Sequence, residues 1–196
     1  MMFRYVLLLP LGIGLSACQN LSGYAPDSRH QILISVPEQK MLLLEDGKTL
    51  GEFRISTAKR GIGDMPDSYM TPAGNMEVAE KIGEGLAAGS VLKDRVPTGE
   101  IVGADAPGRD PVVTRILWLK GLEEKNQNAF SRFIYIHGTP QESLLGQPAS
   151  YGCIRMRSAD IIQLFARVGA GTRVLVAEQP MREILVQSVS GKANAD

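Results

Sequence analysis

Arg132-Phe133-Ile134-Tyr135-Ile136-His137-Gly138-Thr139-Pro140 reads as an apolar strand that carries a histidine to its end, where Gly and Pro begin a turn. Sixteen residues after His137 comes Cys153, within Ser150-Tyr151-Gly152-Cys153-Ile154-Arg155-Met156, and the glycine before it lets the chain turn sharply. A histidine at a strand end and a cysteine behind a tight turn can meet across so short an excursion. The pairing has a chemical motive. A thiol near its ordinary pKa is only slightly ionised at neutral pH, and an adjacent imidazole can take its proton or stabilise the thiolate as imidazolium. Ser150 is placed to bond the backbone of this turn.

Nearer the start of the chain, short apolar runs alternate with Gly, Pro and Asp punctuation at 32–36, 40–44 and 49–57, with Glu45-Asp46-Gly47-Lys48 between the second and third. Asp-Gly between two such runs is a hairpin signal. Further strands are expected at 74–79, 112–120, 132–136 and 172–177, so the domain is mostly β. Trp118 and Tyr135 fall in apolar strands and are expected in the core. Residues 81–111 are rich in Gly and Pro without apolar periodicity, which predicts a long irregular insertion. One short helix is predicted over 159–168, after the cysteine. Ser158 is its expected cap, and Ile161, Ile162, Leu164, Phe165 and Val168 form its buried face. The tail, 179–196, carries no clear pattern.

The chain's 196 residues suit one domain with a proper core. Its 21 basic and 21 acidic residues cancel, leaving no broad field to gather nucleic acid. At the start, Arg4 precedes the apolar run Val6 to Leu15, about half the length a bilayer-spanning helix needs, so residues 1–17 read as a cleaved export signal. Leu15-Ser16-Ala17-Cys18 resembles a bacterial lipobox, which implies lipidation of Cys18, a membrane anchor and a polar tether over 18–30. Gln19 in place of Asp favours the outer membrane, with the domain facing the periplasm and cell wall. The chain has two cysteines, so a lipidated Cys18 leaves Cys153 as the sole thiol of an exported protein, either inert in a core or reactive. The acidic residues of 100–124 lack metal-ligand spacing, and no metal or cofactor is expected.

The two catalytic segments resemble the motif of the L,D-transpeptidases, the YkuD-type domain: a His-Gly or His-Ser pair, a spacer of about fifteen residues, then Ser/Thr-His-Gly-Cys, an apolar residue and Arg or Asn. Here that maps onto His137-Gly138 and Ser150-Tyr151-Gly152-Cys153-Ile154-Arg155. The likeness extends to Ile32-Leu33-Ile34-Ser35-Val36 with Gln39 and Leu42, to Thr71-Pro72-Ala73-Gly74 and to Gly171-Thr172-Arg173-Val174, and spans about residues 31–178.

The resemblance implies an L,D-transpeptidase-like β-sandwich and a ping-pong acyl transfer on peptidoglycan stem peptides. Cys153 is then the nucleophile, His137 its base and later acid, and the Gly138 carbonyl the group that orients the ring. Backbone N–H groups of the turn, at Gly152 and Tyr151, are the implied oxyanion donors. Arg155 either grips a substrate carboxylate or is structural. Tyr151 stands where the family has a second histidine, and either donates a phenolic hydrogen bond or packs. His30, the other histidine, is expected on the surface. Two other readings stay open: the thioester is given to water, making a carboxypeptidase or a hydrolase of peptidoglycan-linked proteins, or the domain binds cell wall without catalysis.

Overall fold

The computed structural model describes residues 25–193, with side chains through Gln187. The export signal, Cys18 and the tether as far as residue 24 lie outside the described residues. The described chain forms ten strands and two helices: β1 (His30–Ser35), β2 (Lys40–Glu45), β3 (Lys48–Ser56), β4 (Gly74–Ile82), β5 (Ser90–Lys93), β6 (Val96–Ile101), β7 (Val113–Gly121), β8 (Tyr135–Gly138), β9 (Ile154–Met156), α1 (Ser158–Arg167), β10 (Arg173–Ala177) and α2 (Met181–Ala193).

The strand order is β4-β10-β1-β2-β3-β9-β8-β7-β5-β6, and β4 also pairs with β7, so eight strands close on themselves. Closure gives every strand of the ring an inner face. Ile32, Ile34, Met41, Leu43, Ile55, Met76, Leu117, Leu119, Ile136, Ile154, Met156, Val174 and Val176 meet there in one core. Ile161, Leu164 and Phe165 of α1 join them. The mostly β domain expected from the strand pattern is what the structure shows. At the β2–β3 turn, Asp46 and Gly47 have φ of 49° and 82°, the paired left-handed conformation of a two-residue hairpin.

Continuous apolar strands need cover on both faces. Leu33, Leu42 and Leu44 point away from the main core and are buried with Ala177, Met181 and Ile184, so α2 lies over the outside of β1 and β2. The tail without a pattern is therefore a docked helix. Its buried residues, Met181 and Ile184, sit one turn apart, and the exposed Val186 beside them blurs the apolar stripe.

Three expectations are corrected. The 81–111 insertion is not wholly irregular: β4 runs to Ile82, and β5 and β6 form a hairpin turned at Asp94 and Arg95, with φ of 50° and 71°. Pro97 and Gly99 break its alternation, and Asp-Arg is not a recognisable hairpin dipeptide. Ser158 does not cap α1; it is the helix's first residue, its N–H donates to Glu142 Oε1 at 3.0 Å, and its hydroxyl pairs with Thr114 Oγ1 at 2.8 Å. The tether does not reach residue 30. Asp27 accepts from the Gly169 N–H at 2.8 Å, from Thr172 Oγ1 at 2.7 Å and from the His30 N–H at 3.2 Å. His30 is correspondingly a partly buried member of that cluster, its Nδ1 2.9 Å from Asp27 Oδ2.

Candidate active site

The centre is built where β8 and β9 pair in parallel, Ile136 opposite Ile154 and His137 opposite Arg155. Ile136 and Ile154 belong to the core, so by the alternation of a strand Tyr135, His137 and Arg155 face the other way. Cys153, directly before β9, packs at the edge of a second apolar cluster of Leu92, Ile116, Trp118 and Tyr135. It is half-buried, with Sγ 3.4 Å from the Phe133 carbonyl. His137 is 4% exposed, and its Nδ1 lies 2.8 Å from the Gly138 carbonyl oxygen. A carbonyl can only accept, so Nδ1 carries the proton and Nε2 is left to receive one. Gly138 suits this place because a Cβ there would come 2.8 Å from the Val113 carbonyl oxygen and 3.1 Å from the Thr114 side chain.

The cysteine turn is held from both sides. Ser150 Oγ donates to the Cys153 carbonyl at 2.6 Å and accepts the Gly152 N–H at 3.2 Å. Thr71 Oγ1 donates to the Gly152 carbonyl at 2.9 Å. Gly152 has φ of +126°, which a residue with a side chain would rarely adopt. Arg132, five residues before His137, donates to the Gly63 and Met70 carbonyls at 3.1 and 2.8 Å and pairs with buried Asp64 at 2.8 Å. It thereby clamps the loop before β4 beside the thiol.

Tyr151 projects into solvent, 75% exposed, with its ring edge-on to Tyr69 at 6.1 Å. Two grooves meet at it. One, of about 330 Å³, is lined by Tyr69, Arg132, Phe133 and Cys153. The other, of about 590 Å³, is lined by Lys59, Asp110, Gln141, Gln147 and Arg155.

Arg155 is 5% exposed, and its Nη2 lies 2.6 Å from Asp110 Oδ2. Thr139 Oγ1 donates to Asp110 Oδ1 at 2.5 Å and accepts the Gln141 N–H at 3.0 Å. In this geometry the guanidinium is occupied by a carboxylate of the chain itself. Asp110, Arg132, Asp64 and Thr71 had no role in the sequence reading of the centre. Asp64, Thr71 and Asp110 lie too far along the chain for any local spacing to find them, and Arg132, though five positions before His137, shows its partners only in the fold.

Burial pushes the Cys153 thiol up to about 11, against the Tyr135 N–H and the charges of Arg155 and Arg132. Burial pushes His137 down to about 4, against its bond to Gly138, with Arg155 adding to the fall and Asp110 opposing it. At neutral pH both groups are therefore uncharged, a thiol and a neutral imidazole on the same side of the β8–β9 pair.

The model of the L,D-transpeptidase catalytic domain, YkuD, matches residues 29–176. The chain belongs to the L,D-transpeptidase family. It is 24% identical over 151 residues, 75% of this chain and 70% of the relative, to YqjB of Bacillus subtilis, a protein named as an L,D-transpeptidase. An L,D-transpeptidase from Mycobacterium tuberculosis superposes with TM-score 0.52 at 20% identity, covering 76% of this chain and 58% of that one. L,D-transpeptidase 3 of the same organism, solved with a faropenem-derived adduct, superposes with TM-score 0.51 at 20% identity, covering 76% and 60%. The chain thus spans about six tenths of those two mycobacterial chains, and the likeness to them is one of fold. Within the family pattern, the departure at Tyr151 falls on the solvent-exposed side of the turn.

Proposed function

We propose that this chain is an L,D-transpeptidase that acts on peptidoglycan stem peptides through a thioester on Cys153. The observation that carries the reading is the His137 ring held by the Gly138 carbonyl on the strand beside the one that Cys153 opens. Cys153 Sγ gives its proton to His137 Nε2 and attacks the carbonyl at the L-centre of the third-position diamino acid. Backbone N–H groups of the Tyr151-Gly152-Cys153 turn face the oxyanion. Because the Gly152 N–H already donates to Ser150 Oγ, this geometry leaves the larger share to its two neighbours. Collapse breaks the bond to D-Ala, whose amine takes the proton from His137. An acceptor amine then attacks the thioester, His137 takes a proton from it, and the thiol is restored.

The Leu15-Ser16-Ala17-Cys18 sequence supports a lipid anchor on Cys18, with the domain facing the cell wall from the outer membrane. Labelled palmitate should enter the chain and be lost in Cys18→Ala; labelling that persists refutes the anchor.

For the catalytic reading, the test is intact mass after incubation with faropenem. An adduct that disappears in Cys153→Ala is expected, and its absence from the unaltered chain refutes the reading. Tetrapeptide muropeptides then distinguish transfer, which gives dimers, from hydrolysis, which gives tripeptides.

A further inference from the structure

We propose that Asp110 is a positioning residue of the catalytic centre: it holds the Arg155 guanidinium across the strand pair from His137 and cancels its charge beside the reacting groups. The proposal rests on the assignment of His137 and Cys153 as that reacting pair.

Arg155 sits opposite His137 in the β8–β9 register, two residues beyond Cys153 and on the outward face of its strand. A guanidinium so placed, left unpaired in a buried position, would repel an imidazolium on His137. Asp110 removes that conflict. Its side chain is 12% exposed, one oxygen meets Arg155 at 2.6 Å, and the other is fixed by Thr139 at 2.5 Å. Thr139 follows Gly138, whose carbonyl holds the imidazole, so a single short segment fixes both the ring and the carboxylate. Asp110 closes the 81–111 insertion, which Asp105 pins nearby through its N–H to the Pro140 carbonyl at 2.6 Å and its carboxylate to the Ser143 N–H at 2.9 Å. The insertion thus delivers a counter-charge to the centre.

The other charged or titratable groups facing the pair are Arg132, from the segment before β8, and Tyr135 of β8 itself, whose hydroxyl is bonded by Arg95 of the β5–β6 turn at 3.2 Å. Neither lies between Asp110 and Arg155 in this hydrogen-bond chain.

Iodoacetamide alkylation of Cys153 tests the idea, because its rate follows the thiolate fraction whether or not the chain transfers acyl groups. Rates are read between pH 7 and 10 by peptide mass spectrometry, which keeps Cys18 separate. Asp110→Asn leaves Arg155 uncancelled and should speed alkylation about tenfold, as a shift of about one unit implies. Arg155→Gln should slow it by about as much, and the double variant should return to within about threefold of the unaltered chain. A merely structural role gives a different pattern, since loosening the centre would speed alkylation in both single variants. Rates that move in the same direction, or that move less than about threefold in either folded single variant, overturn the proposal. Either single variant decides alone if the other does not fold. Failure of the catalytic reading shows separately, as absence of a faropenem adduct on the unaltered chain.

Discussion

At the scale of residues, burial sets the behaviour of the pair. The His137 ring binds its proton near pH 4 in the folded chain and near 6.5 in an unfolded one. Between those values the unfolded chain holds more protons. The stability present above about pH 6.5 is therefore lost as pH falls toward 4, by up to about 3 kcal/mol from this residue. Urea unfolding at pH 7 and pH 4 should show a smaller loss in His137→Gln than in the unaltered chain; equal losses would contradict the assignment. Gly138→Ala forces a Cβ against the Val113 carbonyl and the Thr114 side chain and should cost about 1–3 kcal/mol by chemical denaturation, with loss of adduct formation. Tyr151→Ala, by contrast, removes a ring that is 75% exposed and should leave stability within about 0.5 kcal/mol. A change in turnover with unchanged unfolding would then report a substrate contact. The pairing proposed for His137 and Cys153 could be put forward from the sequence because both lie within sixteen residues, with their turns beside them. The pairing of Arg155 with a carboxylate was not, because Asp110 lies forty-five positions away with no pattern around it.

Among the elements, legibility followed how much of the determinant was local. The β2–β3 hairpin announced itself through Asp46-Gly47, whereas the β5–β6 hairpin turns on Asp94-Arg95 and carries an all-exposed strand. Arg95 compensates there, stacking 4.8 Å above the Trp118 ring and 5.0 Å from Phe133. Helix α2 is held by tertiary contact more than by its own pattern. Ile184→Ala should cost about 2–4 kcal/mol, read as a shift in the denaturation midpoint, since the side chain is 1% exposed against β1 and β2. A midpoint unchanged from the unaltered chain would mean the helix contributes nothing to the fold.

For the whole molecule, the closed ring of eight strands brings the start of the domain beside its last strand, where β1 and β10 pair in parallel. Asp27 locks this seam. Although burial opposes its ionisation, bonds from Thr172, Gly169 and His30 hold its carboxyl well below the usual range. Its contribution is present above the ordinary carboxylate pKa of about 4 and is lost as pH falls through its lowered value. Asp27→Ala should lower stability by about 1–3 kcal/mol at pH 7 and lessen the fall on acidification, as followed by thermal unfolding.

The strand-rich class and the helix after Cys153 follow from local sequence, and so does the proposal of His137 and Cys153 as a pair, because alternation, turn dipeptides and short spacings are properties of neighbouring residues. Tertiary structure alone decided that the sheet closes, that the tail covers its outer face, and that Arg155 is held by Asp110. Those depend on which distant segments meet, and burial of apolar faces and buried charges is settled only when they do.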